Sequence, residues 1–558
     1  MVKKLLNHAS VLCIIAASFT LLACSDGNNN NGNGPTPLAP LGTSVTIDSG
    51  PIEGEDSARA ASWNFLGIPY AAPPLGELRW RAPQPVAPWT DTRSAIALPD
   101  FCPQFRYFSN EYAGSEDCLY LNVFRPRTDE RDLPVFVWIH GGGNNNGDTG
   151  QEFPVYDGAR LAAQGNMVVV TVQYRLGALG WLYAAPLLQS DDELDNSGNY
   201  GTLDIIESLR WVQRNATAFG GDPGNVTVAG ESAGGANVLT LVISEEATGL
   251  FHKGIVQSLG GNVNSKELAL QQAQSLVDNL LALAGAPEEA ATAEELAAYL
   301  RSVDPKTLLS TANTSEIIGD GAVIPVEGYD LFTTGNFPNK LPLLFGTNRD
   351  EQKLYTNPLG FNAYPDGPEE LRSAVGRYLS DAWRVTGADD LATRLRNAAD
   401  MPDIYVYRFN WGSTDENGNS PLPGDFGDTG GAFHSSEISF MMGNEDIFVF
   451  PAFTAIFFND GNAASRATMS EVMVSYWSNF AHTGDPNGNS LPVWEPWSNE
   501  PDGFKAVSLD VNYADDSPRV EPDATVYTED SVYATAIANL EGDILAEVIL
   551  QLDRWFGN

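Results

Sequence analysis

The chain has little positive charge. Its 558 residues include 31 lysines and arginines against 72 aspartates and glutamates, a formal net charge of −41 at pH 7. Proteins that bind nucleic acids neutralise phosphates with basic side chains, so this deficit argues against a nucleic-acid partner. The charge indicates a soluble, anionic surface, and steering of cationic substrates is an alternative interpretation of the same imbalance.

Cysteine is also scarce, with four residues in the whole chain. Cys13 and Cys24 lie in the N-terminal segment, so Cys102 and Cys118 are the two left for a folded domain. Two cysteines without a neighbouring histidine provide too few ligands for a structural zinc site, and we predict no metal. In an oxidising compartment the two thiols are expected to form one disulfide, and two buried free cysteines are the alternative.

The N-terminus has the pattern of an export signal. Two lysines precede a mostly apolar run that is too short and interrupted for a membrane-spanning helix. The run ends in "LLAC", which resembles a bacterial lipobox, so we predict a lipoprotein-type signal peptide over residues 1–23 and lipidation at Cys24. Residues 24–40 are then a flexible polar tether. The expected location is outside the cytoplasm, lipid-anchored to the bacterial cell envelope or secreted, and an uncleaved anchor is a further alternative.

Residues 41–558 contain no second low-complexity linker and no repeat, which predicts one catalytic domain with insertions. Short apolar runs alternate with helical patterns such as "TLDIIESLRWVQRNATAF". This alternation predicts an α/β fold with a mostly parallel sheet, flanked by helices, and functional groups at the carboxyl ends of the strands. The region rich in Ala, Leu and Glu at 265–310 predicts added helices that form part of a lid. The predicted strands are "LPVFVWIHGGG", "MVVVTVQYRLG", "NVTVAGES", "KGIVQS", "LPLLFGTN" and "IYVYRFNW".

A serine lies between two glycines directly after one of these strands, in "VTVAGESAGG". Gly230 and Gly234 remove side chains that would clash in a sharp strand-to-helix turn, which would expose the Ser232 hydroxyl as a nucleophile. An ordinary turn is the alternative, and a pattern this short does not decide between them.

A serine nucleophile needs a base that accepts its proton. Of the five histidines, His434 in "GGAFHSSE" follows a glycine-rich loop after a predicted strand, and we predict that it is this base. His252 and His482 lie in helix-like or helix-end settings and are expected to be structural.

The base needs a carboxylate that orients it, and Asp350 and Glu351 directly follow "LPLLFGTNR". Position supports either residue. The order serine, acid, histidine is that of the α/β-hydrolases. The glycines of "HGGG" at 140–143 and the N–H of Ala233 would provide the backbone donors that stabilise an oxyanion.

Together these residues resemble the type-B carboxylesterase family (carboxylesterase/lipase), which includes the cholinesterases. The resemblance runs from about Gly50 to Trp497 and implies the α/β-hydrolase fold with helical lid insertions. It rests on "FLGIPYAAPPLGELRWRAPQP", "SEDCLYLNV", "VWIHGGG", "GNYGTLDIIESLRWVQRNATAFGGDPGNVTVAGESAGG", "GTNRDE", "GGAFHSSEI" and "YWSNFAHTGDPN".

Carried over by position, the resemblance implies Ser232 as nucleophile, Glu351 rather than Asp350 as acid, and His434 as base. It implies a disulfide between Cys102 and Cys118. The remaining implied site residues are the oxyanion donors Gly142, Gly143 and Ala233, with Glu231 and Ser258 as polar neighbours of the triad or as structural hydrogen-bonding groups.

Two departures from the family pattern bear on the site. Asn144, Asn145 and Asn146 stand where the family often has an aromatic residue after the glycines, which predicts a more polar pocket. Ser435 replaces a common glycine. Five large apolar side chains near the motifs are candidates for lining the pocket, although such residues more often lie in the core: Trp181, Trp411, Phe440, Met441 and Met442.

The sequence therefore predicts an exported serine carboxylesterase that cleaves a small-molecule ester through an acyl-enzyme and needs no cofactor. A noncatalytic binding module of the same fold is one alternative. An amidase or thioesterase with the same triad is another.

Overall fold

The computed structural model describes residues 41–107, 109–285, 292–312, 316–356, 366–488 and 491–557. The predicted signal peptide, lipidation site and tether fall in residues 1–40 and lie outside the described residues. Residues 41–558 form one compact unit.

The strands of the structure are numbered in chain order. They are β1 Ser44–Ile47, β2 Gly50–Glu53, β3 Glu55–Asp56, β4 Ser62–Pro69, β5 Arg93–Ser94, β6 Gln104–Phe105, β7 Tyr112–Ala113, β8 Tyr120–Pro126, β9 Leu133–Ile139, β10 Val168–Val172, β11 Gly221–Glu231, β12 Lys253–Gln257, β13 Val263–Ser265, β14 Ile317–Gly319, β15 Leu343–Asn348, β16 Ile404–Phe409, β17 Ala506–Asn512 and β18 Ser517–Asp523.

The helices are numbered in the same way, and a π-helical segment, Val385–Asp389, joins α10 to α11. They are α1 Ala159–Gly165, α2 Gly177–Gly180, α3 Tyr200–Asn215, α4 Ala233–Ile243, α5 Lys266–Ala284, α6 Ala293–Ser302, α7 Pro305–Thr311, α8 Leu331–Thr334, α9 Lys353–Thr356, α10 Glu369–Arg384, α11 Asp390–Asn397, α12 Phe426–Thr429, α13 Ile438–Met441, α14 Thr454–Phe457, α15 Ala463–Thr483, α16 Glu529–Asn539 and α17 Gly542–Phe556.

An 11-stranded sheet in the order β18-β17-β16-β15-β12-β11-β9-β10-β8-β4-β3 organises the molecule. The strands from β17 to β10 in this order all pair in parallel, and antiparallel strands extend the sheet at both edges. The predicted parallel sheet is confirmed, and the six predicted strands correspond to β9, β10, β11, β12, β15 and β16.

Both faces of the sheet are covered, which explains why its central strands are continuous apolar runs. Every residue of β9 is buried. Val135, Val137 and Ile139 belong to one hydrophobic cluster, whereas Phe136 and Trp138 belong to another. Since successive strand side chains point to opposite faces, these two clusters are the two layers of core above and below the sheet.

The added helices predicted around 265–310 are present in the described part of this region as α5, α6 and α7. These helices pack around Trp80 and Ala178 in a separate hydrophobic cluster. The short strand β14, which follows them, pairs with β13 and lies near the carboxyl ends of the central strands. A lid role for the helices stays a prediction.

Cys102 and Cys118 form a disulfide bond. The loop that they close contains Gln104, whose side chain both donates to the Gly147 carbonyl and accepts from the Gly147 N–H, each at 2.8 Å. The cross-linked loop therefore braces the chain that follows the glycines after β9.

We expect the double variant Cys102→Ala/Cys118→Ala to be less stable by about 3 kcal/mol, because the bond limits the conformational entropy of the unfolded chain. Urea unfolding curves of both proteins, recorded at the same protein concentration, measure the difference in the free energy of unfolding. A thiol titration under denaturing conditions is the control, and an unchanged unfolding midpoint would contradict the expectation.

Candidate active site

The loops after five parallel strands meet at one edge of the sheet, because parallel strands present all their carboxyl ends on the same side. The loops after β9, β11 and β12 contribute Gly141, Ser232 and Gly260 to this edge. Glu351 follows β15, and His434 lies on the long connection after β16. The structure thus brings together residues that are up to about 300 positions apart in sequence.

Ser232 occupies the sharp turn between β11 and α4. Its backbone has φ 58° and ψ −123°, a strained conformation for a residue with a side chain. The two glycines beside it are needed for close packing. A Cβ at Gly230 would overlap the Gly234 carbonyl, and a Cβ at Gly234 would overlap the Ile139 carbonyl oxygen. The turn at Ser232 is therefore strained and closely packed, and its role as a nucleophile elbow stays a prediction.

The glycine loop after β9 passes directly against this turn. A Cβ at Gly141 would lie 2.7 Å from the Glu231 carbonyl oxygen and 3.0 Å from the Ser232 Cβ. Gly142 and Gly143 have φ values of 98° and 61°, in the region that favours glycine. Among the described residues, the N–H groups of Gly142, Gly143 and Ala233 have no protein acceptor. These donors remain available to a ligand oxygen.

Glu351 and His434 form a short, buried polar contact. His434 Nδ1 donates to Glu351 Oε2 at 2.7 Å. Both side chains are buried, with exposed fractions of 4% for His434 and 0% for Glu351. The Asn348 N–H donates to the other oxygen of Glu351, Oε1, at 2.7 Å. The carboxylate is therefore fixed at both oxygens and orients the imidazole.

Asp350, the other candidate acid, faces away from His434. Its carboxylate contacts Lys353 at 2.7 Å and accepts from the Ser413 hydroxyl. Burial alone would raise the pKa of Asp350, but the Lys353 ammonium, the Ser413 hydroxyl and the charge of Arg349 together outweigh it and lower the pKa. The geometry thus distinguishes between the two neighbouring carboxylates that position in sequence left open.

Glu231 contacts the other edge of the same imidazole. Its Oε1 lies 3.2 Å from His434 Nε2 and accepts a hydrogen bond from the Ser435 hydroxyl at 2.6 Å. No hydrogen bond joins Ser232 Oγ to His434 within the described part of the chain. Both residues line the same cavity, and such contacts often tighten only when a substrate is bound.

A third buried carboxylate, Glu437, was not singled out from the sequence. Its oxygens accept from Gln257 Nε2 at 3.0 Å and from Asn348 Nδ2 at 2.6 Å. Asn348 in turn connects it to Glu351, and the Gln257 carbonyl accepts the Ser232 N–H at 2.9 Å. The one available signal was the short spacing to His434 in "HSSE", which does not indicate a contact.

The carboxylates determine the protonation of His434. Burial alone would lower its pKa, but the charges of Glu231 and Glu351 outweigh burial and raise the pKa to about 9. Burial raises the pKa of Glu231 to about 7, against the opposing effects of His434 and Ser435. Burial, together with the charges of Glu231 and Glu351, raises the pKa of Glu437 to about 8. A buried imidazolium is thus stabilised beside carboxylates that are themselves poorly solvated.

Ser232 and His434 open into a cavity of about 500 Å³, a volume typical of small-molecule sites. Six aromatic side chains contribute to its wall: Tyr107, Phe153, Tyr156, Tyr355, Trp383 and Phe450. Trp383 packs against His434 with tilted rings, whose centroids are 4.7 Å apart. A second cavity of about 550 Å³ shares Tyr355 and Trp383 with the first and extends to Trp555.

The aromatic wall differs from the five candidates taken from the sequence. Trp181, Trp411, Phe440, Met441 and Met442 are buried in the hydrophobic clusters and do not line the cavity. They follow the motifs in sequence, but their side chains point into the layers of core. The structure does place Asn144, Asn145 and Asn146 in the cavity wall.

The structure also defines the contacts of Ser258, the other predicted polar neighbour of the triad, and of the histidines His252 and His482. The Ser258 hydroxyl is buried and has no partner within the described residues, while its N–H donates to the Gly346 carbonyl at 2.7 Å. His252 Nδ1 accepts from the Val226 N–H, and His482 Nε2 lies 2.9 Å from the Gly165 carbonyl oxygen. Both histidines therefore have structural contacts.

The part of the chain that the structure describes contains no group of three or more His, Cys, Asp or Glu side chains arranged to hold a metal ion. Within that same part, no helix combines the length and hydrophobicity needed to cross a bilayer.

Comparison with known proteins identifies the family. The sequence model of the carboxylesterase family matches residues 42–360 and 352–523. The chain belongs to the carboxylesterase family. Among its relatives, para-nitrobenzyl esterase of Bacillus subtilis is 34% identical over 478 residues, which are 80% of this chain and 91% of the relative. Human carboxylesterase 5A is 31% identical over 495 residues, which are 78% of this chain and 80% of the relative.

Solved structures of carboxylesterases confirm the α/β-hydrolase fold. A carboxylesterase of Geobacillus stearothermophilus superposes with a TM-score of 0.68 at 29% identity and covers 86% of this chain and 98% of its own. A para-nitrobenzyl esterase structure gives the same TM-score at 30% identity, and the match covers 86% of this chain and 97% of the esterase chain.

The charges around His434 lead to a testable expectation for this carboxylesterase. In Glu231→Gln one of the three carboxylates that raise the pKa of His434 is gone, so this pKa should fall below about 9. Histidine side-chain NMR measures it, and the small number of histidines in the chain simplifies the assignment. His252, which does not contact Glu231, is the internal control. An unchanged His434 titration would contradict the expectation.

Proposed function

We propose that the protein is a serine carboxylesterase that cleaves small-molecule carboxylic esters through an acyl-enzyme, with Ser232, His434 and Glu351 as its catalytic residues. The observation that carries the proposal is the buried pair of Glu351 and His434, at 2.7 Å, in the wall of the cavity that contains the strained Ser232. Membership of the carboxylesterase family supports the reaction class.

In the first half of the reaction, Ser232 Oγ attacks the ester carbonyl carbon while its proton passes to His434 Nε2. The carbon–oxygen bond to the alcohol then breaks, and His434 returns the proton to the leaving alkoxide. Glu351 keeps the imidazole in the tautomer with a proton on Nδ1 and stabilises the imidazolium that forms. In the second half, water attacks the acyl-serine by the same route and releases the acid and free Ser232.

The oxyanion of each tetrahedral intermediate would bind the N–H groups of Gly142, Gly143 and Ala233. Two features support this assignment: these N–H groups have no protein acceptor among the described residues, and the glycine loop lies in contact with the Ser232 turn. Backbone donors held in advance stabilise charge that develops in the transition state, without a reorganisation cost during the reaction. No cofactor enters this mechanism.

Glu231 would provide a second carboxylate for the imidazolium. It lies 3.2 Å from His434 Nε2, the same nitrogen that must reach Ser232. We propose that the imidazole moves between these two partners, so that Glu231 stabilises the resting site and Ser232 engages the ring during catalysis. Ser258, whose buried hydroxyl has no partner among the described residues, would bind an ordered water.

Replacement of Ser232 by alanine tests the proposed function. We expect the purified protein to hydrolyse aryl and alkyl esters, and Ser232→Ala to lose about 10⁶-fold in kcat. Ser310→Ala, an exposed serine on α7, is the matched control and should leave turnover unchanged. A fluorophosphonate probe should label the wild-type protein and the control but not Ser232→Ala.

Matched ester, amide and thioester substrates separate the reaction classes. Faster cleavage of the amide or thioester would replace the esterase assignment by an amidase or thioesterase with the same residues. Absence of all turnover, together with absence of probe labelling at Ser232, would overturn the catalytic proposal and favour a binding module.

We also propose that the protein is exported and anchored by a lipid on Cys24 after removal of residues 1–23. The support is the lysine-flanked apolar run that ends in "LLAC" and the polar stretch that follows it. The compact unit that begins at Leu41 would then be displayed at the end of a tether of residues 24–40.

Expression in a bacterium with labelled palmitate tests the anchor. We expect label and membrane association in the wild-type protein and neither in Cys24→Ala. Cys13→Ala, which changes the other cysteine of the segment, is the matched control and should behave as the wild type. Soluble wild-type protein would indicate a plain secretory signal, and membrane-bound Cys24→Ala would indicate an uncleaved anchor.

A further inference from the structure

Ser435, directly after His434, has a backbone conformation that does not suit a serine. Its φ is 71°, in the left-handed region that favours glycine. The residue is 8% exposed, and its hydroxyl makes one specific contact, a 2.6 Å hydrogen bond to Glu231 Oε1. A strained backbone at a buried site indicates that the side chain there has a role that glycine would not fill.

Two polar groups from adjacent residues contact that one oxygen. Ser435 Oγ lies 2.6 Å from Glu231 Oε1, and His434 Nε2 lies 3.2 Å from the same atom. The serine and the imidazole therefore share a single carboxylate oxygen. Both residues also line the cavity beside Ser232.

We propose that Ser435 is a positioning residue, whose hydroxyl holds Glu231 Oε1 beside the imidazole of His434 and shares this oxygen with the ring. The proposal rests on the proposed function, since it assigns a role within the same site. The hydroxyl stabilises the Glu231 carboxylate most when the imidazole is neutral. A neutral ring does not compensate the negative charge of Glu231, whereas an imidazolium does.

The other charged groups around this contact increase the effect of one hydroxyl. Glu351 faces Nδ1 of His434. Asn348 links this carboxylate to Glu437, because its N–H donates to Glu351 and its side-chain amide donates to Glu437. Glu316 and the phenols of Tyr107, Tyr156 and Tyr355 lie on the cavity wall. Among the described residues that line the cavity there is no lysine or arginine. Apart from the charge of His434, the Ser435 hydroxyl is therefore the group that stabilises the Glu231 carboxylate among the described residues.

The sign of the pH effect follows from these contacts. Catalysis needs the neutral imidazole, and in that state Glu231 Oε1 depends on the Ser435 hydroxyl more than it does beside an imidazolium. Loss of the hydroxyl destabilises the site with a neutral His434 more than the site with a protonated His434. The apparent pKa of the pair His434 and Glu231 therefore rises. The acid limb of kcat/KM should then move to higher pH by about half a unit.

Two substitutions separate the hydroxyl from the backbone strain. Ser435→Ala removes the hydroxyl and keeps the Cβ at positive φ, whereas Ser435→Gly removes both. We expect the same upward shift of the acid limb in both variants and a higher melting temperature in Ser435→Gly than in Ser435→Ala. Ser436→Ala, whose hydroxyl donates to the Phe433 carbonyl at 2.7 Å, is the matched control and should keep the wild-type profile.

A double-mutant cycle with Glu231→Gln gives the decisive comparison. If Ser435 acts through Glu231, Ser435→Ala should shift the profile in the wild-type background and leave it unchanged in the Glu231→Gln background. An equal shift in both backgrounds, or a change in KM alone, would overturn the proposal and indicate contact with the substrate or a purely structural role. An inactive and unlabelled wild-type protein would instead overturn the proposed function, so the two failures are distinguishable.

Discussion

The rest of the site depends on the burial of three carboxylates around one imidazole. Glu231, Glu351 and Glu437 are each at most 2% exposed. His434 directly contacts Glu231 and Glu351, whereas the side-chain amides of Gln257 and Asn348 donate to Glu437. Charged groups in such surroundings are costly unless every oxygen finds a donor. The donors come from strand ends and the loops that follow them. Backbone N–H groups there are not used in hydrogen bonds between strands, so they can donate to a carboxylate. The position of the polar network at this edge is thus a consequence of where the sheet can supply donors.

Close packing adds a second constraint, and it applies to the backbone. The turn at Ser232 fits only because glycines face it from its own chain and from the loop after β9. Helix α4 begins directly after the serine, so that its first N–H groups point toward the cavity. The same contact therefore strains the turn, exposes the hydroxyl and aligns the free N–H groups beside it. A side chain at Gly141 or Gly234 would disrupt all three at once.

Much of the site followed from local sequence, because its parts lie at strand ends that local patterns mark well. A β-branched run followed by small residues identified the turn at Ser232, and an apolar run identified the adjacent carboxylates Asp350 and Glu351 as candidate acids. Glu437, Gln257 and Asn348 did not stand out, since nothing in the neighbouring sequence of a buried glutamate or amide shows which partners it will meet. The aromatic wall was also missed: Tyr107, Trp383 and Phe450 come from segments that are distant in sequence from the motifs.

By itself the sequence determined the class of fold and the chemical types at the site, because strand periodicity, glycine spacing and family motifs are encoded locally. It also determined the pairing proposed for the two cysteines of the folded domain, through the resemblance. Tertiary structure supplied the physical difference between the two candidate acids, of which the resemblance favoured Glu351: Glu351 points inward to His434, whereas Asp350 points to Lys353. It alone brought Ser435 and His434 onto one oxygen of Glu231. The physical reason is that side-chain direction and burial depend on which loops pack together, and that packing is set by the whole sheet.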